Sequence, residues 1–67
     1  MTKIGSIRVS DASEYGRPGQ WVVEQYSYWG TGDLCWAVPG WVEDRFGVSG
    51  FFPSEREARE FLAMVTA

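Results

Sequence analysis

The chain has no histidine and a single cysteine among its 67 residues. Without an imidazole it lacks the side chain that takes and returns protons near neutral pH, and with it the Ser-His and Cys-His nucleophile pairs. The usual nitrogen ligand of transition metals is missing too. Cys35 alone can close no disulfide within the chain and build no thiolate zinc site. Its neighbours Leu34 and Trp36 point to a packing role in a strand. Glu43 and Asp44 are adjacent, and in a strand they would face opposite ways and could not act as a pair. The segment Gly30-Thr31-Gly32-Asp33 lacks the lysine and the following helix that a phosphate loop requires. A non-catalytic protein without metal or cofactor is expected.

Bases are also unevenly missing. Between Pro18 and Asp44 there is no lysine or arginine, whereas Glu24, Asp33, Glu43 and Asp44 all lie there. With a net charge of −3, the chain does not match nucleic-acid binders, whose affinity comes largely from basic side chains on phosphates. Direct DNA binding is therefore not expected. Long apolar runs are absent as well: Ile4-Gly5-Ser6-Ile7-Arg8 is too short and polar for a secretory leader, and nothing approaches a membrane span. A soluble cytoplasmic monomer, without membrane contact, is the expectation.

What the chain does have is rings. Four tryptophans, three tyrosines and four phenylalanines are present, and every tryptophan lies between Trp21 and Trp41. A chain this short sits near the lower size limit for independent folding and has few large aliphatic residues, so most of these rings must be structural.

The order of elements is legible from periodicity. Ile4 to Ser10 alternates, with Ile7 and Val9 on one side. Asp11 to Tyr15 is a polar connection, and Arg17-Pro18-Gly19-Gln20 fits a type II turn. Gln20 to Trp29 reads as a long strand, Gly30-Thr31-Gly32-Asp33 as a turn, and Leu34 to Val38 as the next strand. Pro39-Gly40 turns again, Trp41-Val42 starts a further extended piece, Glu43 to Gly47 is strand or turn, and Val48 to Phe52 is a strand. In the C-terminal segment, Ser54 and Glu57 form a capping box, and Ala58, Phe61, Leu62 and Val65 make one apolar stripe. Glu55–Arg59 and Arg56–Glu60 are spaced as exposed helical pairs. The fold class that follows is α+β over residues 1–67: an antiparallel β-meander of three to five strands with one C-terminal α-helix packed on one face.

One helix of about twelve residues cannot cover both faces of such a sheet. Rings left at the surface and rimmed by carboxylates would form a protein interface. The candidate partner-binding residues are Glu24, Asp33, Glu43 and Asp44 with Tyr26, Tyr28, Trp29 and Trp41, and the partner is expected to be a basic protein surface. Two alternatives stand beside this: a nucleic-acid-binding domain using Lys3, Arg8 and Arg17, and a structural domain with no single binding patch.

The run Gly50-Phe51-Phe52-Pro53-Ser54-Glu55-Arg56-Glu57-Ala58-Arg59-Glu60-Phe61-Leu62 resembles the strand-to-capped-helix end of the arm-type DNA-binding domains of phage integrases. The matching positions are Phe51 or Phe52, Ser54, Glu57-Ala58 and Phe61. That resemblance implies a three-stranded sheet followed by a helix, with the sheet laid on DNA. In size, acidity, aromatic content and lack of a disulfide, the chain is also similar to small acidic phage inhibitors of bacterial defence, the anti-CRISPR proteins. This second likeness implies an acidic DNA-mimicking surface, on a protein made in the host cytosol, that occupies a basic nucleic-acid-binding site of a defence complex.

Overall fold

The computed structural model describes residues 2–30 and 32–67. Four strands and two helices follow one another: β1 (Ile7–Asp11), a short 3-10 turn (Ala12–Tyr15), β2 (Trp21–Trp29), β3 (Asp33–Ala37), α1 (Gly40–Phe46), β4 (Phe51–Phe52) and α2 (Glu55–Thr66). The α+β antiparallel architecture is as the sequence implies. No helix among the described residues is long and apolar enough to cross a membrane.

β2 is the spine of the sheet. It pairs antiparallel with β1 on one side, Val9 opposite Val23 and Arg8 opposite Glu24. On the other side it pairs with β3 along its C-terminal half, Ser27 opposite Cys35, and with β4 along its first two residues, Trp21 opposite Phe52. The turn at Arg17-Pro18-Gly19-Gln20 forms as read, with the Gln20 N–H donating to the Arg17 carbonyl at 3.2 Å. Between β2 and β3, Trp29 and Asp33 are the last paired residues, and the Gly32 N–H donates to the Trp29 carbonyl at 2.9 Å; Thr31, part of the expected Gly30–Asp33 turn, lies outside the described residues.

α2 starts where the sequence says it should. The Ser54 hydroxyl oxygen accepts from the Glu57 N–H at 3.3 Å, satisfying one donor that the first helical turn leaves free. Ala58 and Phe61 on its stripe are buried, with Leu62 and Val65 half-buried beside them. The pairs Arg56–Glu60 (3.1 Å) and Arg59–Glu55 (2.8 Å) lie on the exposed side.

Two readings need correction. Trp41 to Phe46 is helical, not extended: α1 runs from Gly40 to Phe46, follows Pro39 and ends at Gly47. Among the described residues there are therefore two α-helices, and both pack on the same side of the sheet. Val42 of α1, Val23 of β2 and Phe61 of α2 form the buried centre, with Ile7, Val9, Trp41, Val48, Phe52 and Val65 around them. The second correction is the extent of β4. Its two residues are all that remains of the expected Val48–Phe52 strand, because Gly50 takes a positive φ of 90° there. A Cβ on Gly50 would sit 2.7 Å from the Val38 side chain, so both the backbone conformation and the packing require glycine.

Candidate functional site

Strand alternation sorts the side chains into two faces. Ile7, Val9, Trp21, Val23, Gln25 and Phe52 look toward the helices. Arg8, Val22, Glu24, Tyr26, Tyr28, Leu34, Trp36 and Phe51 look the other way, by the same pairing registers. Among the described residues α1 and α2 pack on the first face, and the 3-10 turn with the segment after it folds across part of the second.

At the centre of this open face is Glu24, buried to 3 % exposure. A carboxylate this deep is costly unless its oxygens are satisfied. Here Oε1 accepts from the Arg8 guanidinium at 2.9 Å, and Oε2 accepts from the Tyr15 hydroxyl. Burial, with the carboxylate beside it, pushes the Tyr15 hydroxyl up to about 12. Tyr15 can reach Glu24 because Asp11 starts the 3-10 turn: its carboxylate accepts from the Ser13 N–H at 2.7 Å, which holds the Asp11 carboxyl below its ordinary value.

Rings and guanidinium groups fill the rest. Tyr15 meets Phe51 edge to face at 5.5 Å between centroids, and Arg17 lies 4.3 Å over the Phe51 ring. Arg8, already bound to Glu24, lies 4.2 Å over Trp36, and Trp36 packs against Tyr26 at 5.3 Å. Tyr28 and Leu34, opposite one another on β2 and β3, extend the row toward the hairpin end and are 60 % and 38 % exposed. The result is a band of Arg17, Phe51, Tyr15, Arg8, Trp36 and Tyr26 that continues into Tyr28 and Leu34.

The eight residues expected to form one partner-binding surface do not come together. Tyr26, Tyr28 and Glu24 lie on the open face. Trp29 and Asp33 have the parity of the helix side, and the Trp29 indole donates to the Gln25 and Cys35 carbonyls at 3.3 and 3.1 Å. Trp41 packs against the core, its indole donating to the Gln25 side chain at 3.1 Å. Glu43 and Asp44 are exposed on α1, in the helix layer. Glu24 must be withdrawn as a contact for a basic partner, since it is buried and both its oxygens are used within the chain. The carboxylate rim around the rings is likewise corrected: the two side chains lying over the open rings are arginines from outside the base-free segment.

No family model, curated protein or solved structure matches the chain.

Sequence reasoning missed Tyr15, Trp36 and Phe51 as members of this surface, and it named Arg8 and Arg17 only in the nucleic-acid-binding alternative. Arg8 was legible as an outward residue of β1, by its alternation with Ile7 and Val9. What brings it to Glu24 and Trp36 is the strand register, which no local pattern encodes. Cys35 is exposed, a departure from the half-buried packing role expected of it. Among the described residues no cluster of metal-ligating side chains occurs.

Proposed function

We propose that the chain is a non-catalytic binding module that receives a protein partner on the open face of its sheet. One observation carries this reading: a sheet face made of Tyr15, Tyr26, Tyr28, Leu34, Trp36 and Phe51, with Arg8 and Arg17, is left without a covering helix. Tyr, Trp, Phe and Arg are the types enriched in the cores of protein interfaces, and free carboxylates are depleted there. Glu24 does not count as a free one. The unused donors on this face belong to the guanidinium groups of Arg8 and Arg17 and to the hydroxyls of Tyr26 and Tyr28, so the complementary surface is apolar or aromatic with carboxylates at its edge.

A second reading keeps the phage-type inhibitor and moves its surface. Glu43 and Asp44 are exposed on α1 and form no ion pair among the described residues, whereas Glu55 and Glu60 are engaged by Arg59 and Arg56. A basic groove of a bacterial defence complex would meet α1, on the other side of the sheet.

The two readings separate in one experiment. Affinity capture from a bacterial lysate, followed by quantitative mass spectrometry, is run with the native chain, with Tyr28→Lys, and with Glu43→Lys/Asp44→Lys. Both variants alter exposed side chains and should stay folded by circular dichroism. For a partner on the open face, Tyr28→Lys lowers affinity by about thirty-fold, the scale of an interface hot spot, and the double variant binds normally. The reverse pattern selects the α1 surface. A partner insensitive to both changes rejects both readings, and retention that a nuclease abolishes would assign the open face to nucleic acid instead.

A further inference from the structure

The outer edge of β3, whose outward backbone groups have no partner among the described residues, supports an inference that requires no foreign partner on the open face, although the side chains of Leu34 and Trp36 belong to both. Backbone hydrogen bonds fix which way each strand residue points. In β2 the Val23 N–H donates to Gly50, on the β4 side, at 3.0 Å, and the Tyr26 N–H donates to Ser6, on the β1 side, at 2.9 Å. Odd-numbered residues of β2 therefore direct their backbone groups toward β3 and β4, and even-numbered ones toward β1. Since Gln25, Ser27 and Trp29 lie opposite Ala37, Cys35 and Asp33, those three β3 residues direct their backbone groups at β2. Leu34 and Trp36 are left with N–H and C=O pointing out of the sheet.

Native edges are ordinarily blunted by lysine, proline, a bulge or a covering element. Among the described residues β3 has no lysine, proline or bulge, and β2 is the one element with extensive contacts to it; its single charge, Asp33, stands at its first position, and Asp33-Leu34-Cys35-Trp36-Ala37 pair regularly with β2, the first three exposed. The opposite edge differs. β1 carries Arg8 and Asp11 and packs against α2.

We propose that β3 is a dimerisation edge, pairing antiparallel with β3 of a second copy about a two-fold axis at Cys35. The register follows from two requirements. Outward-pointing residues must face outward-pointing residues, and overlap must be greatest. Pairing Leu34 with Trp36 of the second copy meets both and engages all five residues; a shift of two residues in either direction loses overlap. The strand matches itself in this register. Leu34 packs beside the indole of the second copy, an aliphatic–aromatic cross-strand pair, and Asp33 stands opposite Ala37, so no like charges meet. Cys35 faces Cys35 in a non-hydrogen-bonded pair, where the Cα atoms approach to about 4.5 Å. That lies inside the range of roughly 4.4–6.8 Å that a disulfide spans. A foreign strand would have no reason to carry this complement, which is why a second copy is the occupant.

Sedimentation equilibrium of the reduced full chain, from micromolar to millimolar, tests the pairing. A reversible rise from 7.6 kDa to twice that mass is expected. Leu34→Pro removes one outward N–H per copy and leaves every bond to β2 in place, so the dimer should disappear while the circular dichroism is kept. Leu34→Lys, a charge on the same edge, is the second variant should the proline perturb the strand. Diamide, which takes two electrons and two protons from a thiol pair, should then link Cys35 to Cys35 at least ten-fold faster in the native chain than in either variant. A single monomeric species throughout, a dimer that survives both substitutions, or a dimer whose Cys35 thiols do not couple faster than in the variants would each overturn the proposal.

Discussion

Both faces of the sheet carry aromatic rings, yet they hold them by different means. Toward the helices, Phe46 and Phe52 meet Phe61 at 5.2 and 5.3 Å, Trp41 meets Phe46 at 6.3 Å, and this ring cluster surrounds Val23 and Val42. That is an apolar core between a sheet and two helices, with Phe46 exposed at its margin. Away from them, the rings are held by guanidinium groups lying on Phe51 and Trp36 and by a buried carboxylate that ties β1, β2 and the 3-10 turn together. A chain of 67 residues has enough helix to cover one side only. The second side is stabilised by a polar-aromatic layer one side chain thick, which leaves Tyr28 and Leu34 exposed.

The comparison fails first, if it fails, at Phe61. On the helix side Phe61→Ala removes the ring that joins α2 to Phe46 and Phe52, and such truncations cost about 3–5 kcal/mol. Small domains have only about 5–15 kcal/mol in total. Urea denaturation followed by circular dichroism should show the cooperative transition weakened or lost. A variant within about 1 kcal/mol of the native chain would mean that the helix side is not the dominant core.

Tyr15→Phe asks the corresponding question of the open face. It leaves one oxygen of Glu24 without its donor, at a cost of about 1–3 kcal/mol, smaller than at Phe61. The hydroxyl adds a dependence on pH. Its folded value is raised to about 12, so the neutral form is the one the fold favours. The stabilisation is therefore complete below about pH 10, the ordinary tyrosine value, and is lost as pH rises from there through about 12. The urea midpoint of the native chain should fall across that window more steeply than that of Tyr15→Phe. Parallel profiles would remove Tyr15 from the network.

How much of this was legible in the sequence follows from which interactions are local. α2 was readable because its signals lie within four residues of one another: Ser54 to Glu57, and Ala58 to Phe61 and Leu62. β2 was readable because Trp21 to Trp29 is dense in β-branched and aromatic types. α1 was not, because Trp41 and Val42 follow Pro39-Gly40 and look extended by propensity, while the helix is only seven residues long and has no side-chain cap. Its discoverable signals were Arg45 in the last turn and Gly47 just beyond. The candidate site was less legible still. Glu24 and Arg8 are sixteen positions apart, and parity alone shows that Glu24 shares a face with Tyr26 and Tyr28. Whether that carboxylate is a surface charge or a buried anchor depends on Arg8 and Tyr15 arriving from elsewhere. The absence of bases between Pro18 and Asp44 is a statement about the chain, and the fold supplies arginines to the same rings from outside it.

Arg8→Lys separates the two ways in which that supplied cation can act. Lysine keeps the charge and can still reach Glu24, but it cannot lay a planar group on Trp36. If the guanidinium helps hold the open face by stacking, the substitution costs about 0.5–1 kcal/mol, and Trp36 becomes more accessible to acrylamide in a variant retaining only that tryptophan. If Arg8 serves only to neutralise Glu24, stability and quenching stay unchanged. Trp36 would then be held by its contact with Tyr26, while Tyr15 and Arg17 would still hold Phe51, so the use of guanidinium stacking on the open face would be confined to Arg17.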